Sequence, residues 1–114
     1  PSTDMVDAIR KDLPAGIRRM IAIGGGAVMD TAKMLSLTTS KGTTESLFDL
    51  SSDAEKPVRI FDVYAVPTTC GTGSEVTNAC AVELVSLHTK RGLNNDLLFR
   101  LKIPNLFFYL SDIL

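Results

Sequence analysis

Apolar positions fall at helical spacing in the first stretch of the chain and in unbroken runs after it. Met5, Ile9 and Leu13 share one stripe and predict a helix over Asp4–Leu13, capped by Ser2 or Thr3 and ended by Pro14-Ala15-Gly16. Arg19–Ile23, RMIAI, is a short run bounded by glycine, the pattern of a strand buried in a parallel sheet. Gly24–Gly26 reads as a tight turn. Helical spacing returns over Val28–Thr38, with Val28, Ala32 and Leu35 predicted inward and Asp30 and Lys33 outward in solvent. Thr38–Arg59 is polar and rich in turn formers, with one short helical turn expected at Glu45–Leu50. Phe61–Val66 predicts a second buried strand, closed by Pro67, and Thr68–Glu75 forms a second loop of Gly and Thr. Ala79–Leu87 alternates enough for a strand, and His88–Gly92 reads as the turn after it.

Helix, strand, glycine turn, helix, strand, glycine loop is the order of an α/β parallel sheet with crossover helices. No repeat and no linker divides the chain. The end breaks the pattern. Leu97–Leu114 holds four of the seven aromatic residues, Phe99, Phe107, Phe108 and Tyr109, and Pro104 interrupts it. It fits a buried segment whose partner lies elsewhere, or sequence read out of frame.

Bulk composition narrows the function classes. The 114 residues suit one domain or part of one, and 45% apolar with 22% charged content is that of a folded chain. A net charge of −1 gives no electrostatic case for nucleic acid. No apolar run reaches membrane-spanning length, and the polar start is not that of a secretory signal. Cys70 and Cys80 lack metal-site or redox-motif spacing and read as reduced thiols, which points to the cytoplasm. The chain opens on Pro1, which suggests a fragment or a processed product.

The two glycine loops carry the candidate chemistry. Glycines between a strand and a helix let backbone N–H groups approach an anion, and the helix start adds partial positive charge. Gly24, Gly25 and Gly26 meet that need. A Walker A loop would end in Gly-Lys-Ser/Thr, and the dinucleotide fingerprint would place glycine at position 29, where this chain has Met. A glycine triplet alone serves equally to pack a helix on a strand. The second loop, Pro67–Thr77, adds the hydroxyls of Thr68, Thr69, Thr72, Ser74 and Thr77, with Gly71 and Gly73 between them. Thr72 and Glu75 have capping-box spacing. Each loop follows a buried strand, so both belong at the carboxyl edge of the sheet, where open α/β sheets bind ligands.

IAIGGGAVMDTAK (Ile21–Lys33) followed by VPTTCGTGSEVTN (Val66–Asn78) resembles the iron-containing (group III) alcohol dehydrogenases. VELVSLHTKRGL (Val82–Leu93) resembles their 4-hydroxybutyrate dehydrogenase branch. The resemblance runs from about Asp4 to Phe99. It implies a partial Rossmann-like NAD(P)-binding domain over residues 1–99, with 100–114 an atypical hydrophobic tail. It places Gly24, Gly25 and Gly26 against the pyrophosphate of NAD or NADP, and Thr68, Thr69 and Thr72 near the nicotinamide half. Asp30 would brace the glycine turn; the residues alone equally allow a solvated first-turn carboxylate there. Lys33 remains a solvated helix residue, and Glu75 a cap.

The departures set limits. The family has a hydroxyl residue after the three glycines, and this chain has Ala27. The family binds a divalent metal, iron or zinc, through one Asp and three His; the only histidine here is His88. The residue that would choose NAD or NADP lies upstream of the match. The resemblance thus implies part of a hydride-transferring enzyme acting on a small alcohol or aldehyde such as 4-hydroxybutyrate, inactive by itself, with a homo-oligomer as a candidate assembly. A phosphate-binding or subunit-interaction module is the other class left open.

Overall fold

A computed structural model describes residues 1–69, 79–94 and 101–102, with side chains through Gly92. Cys70–Asn78, 95–100 and the tail from Ile103 lie outside the described residues, and with them Thr72, the Thr72–Glu75 capping box and Phe99.

Helix α1 spans Thr3–Asp12, and the Ser2 hydroxyl caps it by accepting the Met5 N–H at 3.3 Å. Strand β1 (Arg19–Gly24) leads through the glycine turn into α2 (Gly26–Leu35). A two-residue strand β2 (Leu37–Thr38) pairs antiparallel with β3 (Val58–Arg59), closing the polar excursion that holds a 3-10 turn at Glu45–Phe48. Strand β4 (Asp62–Pro67) lies parallel to β1 in a six-residue register, Arg19 opposite Asp62 and Gly24 opposite Pro67. Strands β5 (Ala79–Leu84) and β6 (Thr89–Asn94) form an antiparallel hairpin, and β7 (Leu101–Lys102) pairs parallel with β4. The main sheet is therefore β1-β4-β7, all parallel, as the α/β pattern predicts.

One core joins these pieces. It takes in Ala22 of β1, Val63 and Ala65 of β4, Met29, Ala32 and Leu35 of α2, Val6 of α1 and Cys80, Val82 and Leu84 of β5, together with Met34, Leu37, Leu47, Phe48 and Phe61. The strict alternation of Cys80, Val82 and Leu84 puts one face of β5 inward. Arg10 ties α1 to the end of α2: its guanidinium donates to Leu37 O at 2.9 Å, Met34 O at 3.0 Å and Thr44 Oγ1 at 3.3 Å. Asp7 accepts from the Thr44 N–H and hydroxyl at 2.8 and 2.6 Å and lies 3.7 Å from Arg10 Nε.

Four expectations need correction. Met5 and Ile9 are 43% and 38% exposed, because α1 turns Val6, not their stripe, toward α2 and β5. β1 is not buried on both faces: Ala22 is covered by α2, but Ile21 and Ile23 are 67% and 64% exposed, and β1 ends the sheet among the described residues. α2 is packed on more than one side, so Lys33 is fully buried while Val28 is 41% exposed. His88–Gly92 is not a turn. The strand before it stops at Leu84, Val85–Leu87 forms a 3-10 turn, and the left-handed His88 (φ 48°) starts β6. β6 reads as a turn because it is an exposed outer strand whose Lys90 and Arg91 face solvent. No helix among the described residues is long and apolar enough to cross a membrane.

Candidate functional site

The parallel register brings the two loops together. Gly24 ends β1 opposite Pro67 at the end of β4, and the Thr68 N–H donates to Gly24 O at 2.9 Å. The glycine turn and the start of the Thr/Gly loop are thereby one continuous edge.

The glycines there have separate work. A Cβ on Gly24 would meet Val28 Cγ2 at 2.6 Å and Val28 Cβ at 2.8 Å, so its bare α-carbon lets α2 lie close on β1. A Cβ on Gly25 would lie 3.1 Å from Thr69 Oγ1, so this glycine lets Thr69 come close to the turn. Gly26 is the first residue of α2. Gly25 is the N-cap and gives no side-chain hydrogen bond, and the first turn holds no acidic residue. The first helix N–H with an intrahelical partner is that of Met29, donating to Gly25 O at 3.1 Å. Those of Gly26, Ala27 and Val28 carry the positive end of the helix. Thr31 turns its hydroxyl back to Ala27 O at 2.8 Å, and Ala27 itself supplies no hydroxyl.

Thr68 and Thr69 are exposed at this edge. These residues fit a diphosphate: backbone donors at an open helix start, two hydroxyls, and no opposing carboxylate in the first turn. Thr72 lies outside the described residues.

Asp30 is in the second turn of α2, not the first. Its Oδ2 accepts the Ala81 N–H at 3.2 Å, and its Oδ1 lies 3.9 Å from Lys33 Nζ. Lys33 Nζ donates to Ala79 O at 2.8 Å. Between Ala79 and Ala81 the buried Cys80 thiol is pushed up to about 12, first by burial and then by the Asp30 charge, with Lys33 acting in the other direction. Reasoning from the sequence missed this cluster. Lys33 reads from the helical period as a solvated residue and Asp30 as a brace of the glycine turn or a solvated carboxylate, and only the packing of β5 on α2 brings both onto that strand.

Among the described residues no group of three or more His, Cys, Asp or Glu is placed to hold a metal. His88 is exposed on the β5–β6 hairpin. The described residues therefore do not fit a catalytic metal.

A sequence profile of iron-containing alcohol dehydrogenases matches residues 1–102. The chain is 47% identical over 100 residues to 4-hydroxybutyrate dehydrogenase of Clostridium kluyveri, covering 87% of this chain and 26% of that one. Its fold is similar to sulfoacetaldehyde reductase of Bifidobacterium kashiwanohense, solved in complex with NAD+, at a TM-score of 0.73 and 26% identity, over 90% of this chain and 27% of that one. An iron-containing alcohol dehydrogenase of Thermotoga maritima superposes at a TM-score of 0.72 and 29% identity, over 90% and 28%. The chain thus spans about a quarter of the length of the relatives it matches.

Proposed function

The chain belongs to the iron-containing alcohol dehydrogenase family, and from that premise we propose that it forms part of the NAD(P)-binding half of a 4-hydroxybutyrate-type dehydrogenase. The observation that carries this reading is the Thr68 N–H to Gly24 O bond, with Gly25 against Thr69. It joins two loops into one edge with N–H and O–H donors. On this reading Gly24, Gly25 and Gly26 bring the backbone to the pyrophosphate, Gly24 also packing the helix on the strand, and Thr68, Thr69 and Thr72 bind toward the nicotinamide. Asp30 acts from α2. The reaction is hydride transfer between a small primary alcohol and the nicotinamide, and the cofactor supplies the electron acceptor when bound. This chain's share is to fix the cofactor's position. The residues needed for a metal belong to the rest of the enzyme, so the 114-residue chain alone has no dehydrogenase activity. The cytoplasm is the compartment this reading implies.

Titration of the purified chain with NADH and NADPH, followed by nicotinamide fluorescence, tests the reading. Saturable binding that weakens on Thr69→Val supports it, and no binding of either nucleotide overturns it. Metal-dependent oxidation of 4-hydroxybutyrate by this chain alone would overturn the claim of inactivity.

A further inference from the structure

We infer that Lys33 and Asp30 are positioning residues that hold the exit of the Thr/Gly loop against the helix of the glycine turn. The proposal rests on the cofactor-binding reading above. Lys33 is 0% exposed, although burying an ammonium is costly without a polar partner. Its amine donates to Ala79 O at 2.8 Å, and Asp30 Oδ2 accepts the Ala81 N–H at 3.2 Å. Ala79 and Ala81 open β5, the strand that follows the loop. Two side chains one helical turn apart thus grip two backbone groups two residues apart on that strand, one as donor and one as acceptor. The entrance of the same loop is fixed independently, by Thr68 N–H on Gly24 O at 2.9 Å. Thr68 on one side and Ala79 and Ala81 on the other are therefore tied to the glycine turn and to α2. Cys80, 4% exposed between the two gripped residues, packs into the core. The arrangement fixes where β5 begins relative to the helix start.

The test uses the 114-residue chain with two readouts, hydrogen exchange at the Ala81 amide and NADH affinity. Lys33→Met and Asp30→Ala are expected to speed Ala81 exchange and weaken NADH binding, each about tenfold, the effect of one lost charged hydrogen bond. Asp30→Asn retains a carbonyl oxygen for the Ala81 N–H and is expected to recover most of both, which a general loss of packing would not do. If Lys33→Met does not fold, the Asp30 pair decides. Wild-type NADH affinity in folded Asp30→Ala, or unchanged Ala81 exchange, overturns the proposal. Absence of NADH binding by the wild-type chain would overturn the cofactor reading and the positioning role with it, while the exchange measurement reads the clamp separately.

Discussion

Gly25 and Thr69 share one corner of the sheet edge: a Cβ on Gly25 would lie 3.1 Å from Thr69 Oγ1 and 3.6 Å from Thr69 Cγ2. Gly25→Ala asks Thr69, an exposed side chain, to give by a few tenths of an ångström. Gly25→Val brings two more carbons into the same corner and must displace Thr69. Gly25→Val is expected to weaken NADH binding at least about tenfold, ~1.4 kcal/mol, with unchanged far-ultraviolet circular dichroism. Gly25→Ala should fall between it and wild type in the same fluorescence titration.

Gly24 also acts through stability. Its added Cβ would sit 2.6 Å from Val28 Cγ2 and 3.2 Å from Cγ1, and a β-branched side chain in a helix cannot rotate away freely. Overpacking of this kind costs about 1–3 kcal/mol. Gly24→Ala should lower the urea midpoint accordingly. Val28→Ala in the same chain removes both γ-carbon contacts but leaves Val28 Cβ at 2.8 Å, so it should recover part of the loss and not all.

These two glycines show what the sequence made legible. Strand, turn and helix around Gly24–Gly26 are set by local chemistry, and a continuous apolar run before a glycine triplet has few other readings. The pairing of that turn with Thr68–Thr69 follows from the same logic applied to β4. Lys33 and Met5 were illegible for one shared reason. A helix period gives the spacing of faces but not which neighbour covers them. Here β5 packs on α2 at Lys33 and leaves the Met5 stripe uncovered. The strand over Thr89–Asn94 was hidden because its side chains through Arg91 are mostly polar, and its existence depends on β5 as a partner.

Arg10 should be the most sensitive polar residue outside the site. Burial lowers its pKa, with Asp7 opposing that shift. Three of its hydrogen bonds fasten α1 to Leu37, Met34 and Thr44. Arg10→Met leaves two carbonyls and Asp7 without the guanidinium and is expected to destabilise by about 3 kcal/mol, seen in urea unfolding. Arg10→Lys should not restore the loss, because one ammonium cannot reproduce the planar fork.

Cys80 predicts a specific alkaline response. Its thiol is pushed up to about 12 from an ordinary 9.0, chiefly by burial. Below pH 9 both folded and unfolded chains hold the proton, and this group adds no pH dependence. Above pH 9 the unfolded chain releases the proton while the folded chain keeps it. The unfolded state then binds fewer protons, so stability falls as pH rises, by up to about 1.4 kcal/mol per unit until the folded thiol itself ionises. Urea unfolding at pH 8, 9 and 10 should show a shallower decline in Cys80→Ala than in wild type. The same burial makes the native thiol slow toward iodoacetamide.

The exposed side of β1 gives the last expectation. Ile21 and Ile23 border a groove of about 650 Å³ that also takes in Met5, Ile9 and Val28. Ile21, Ile23, Met5 and Val28 are each more than 40% exposed, so the groove is an apolar surface and not part of the packed core. Contiguous apolar surface of this kind binds hydrophobic dyes and promotes association. The chain should therefore enhance the fluorescence of anilinonaphthalene sulfonate in the native state and sediment as a concentration-dependent mixture. Ile21→Glu with Ile23→Glu places two carboxylates on that face without touching Ala22, the one fully buried β1 residue. It should abolish most of the dye signal and shift sedimentation toward the monomer, while β1–β4 pairing and NADH affinity stay near wild type. Dye binding that survives in the double variant would place the exposed apolar surface somewhere other than β1.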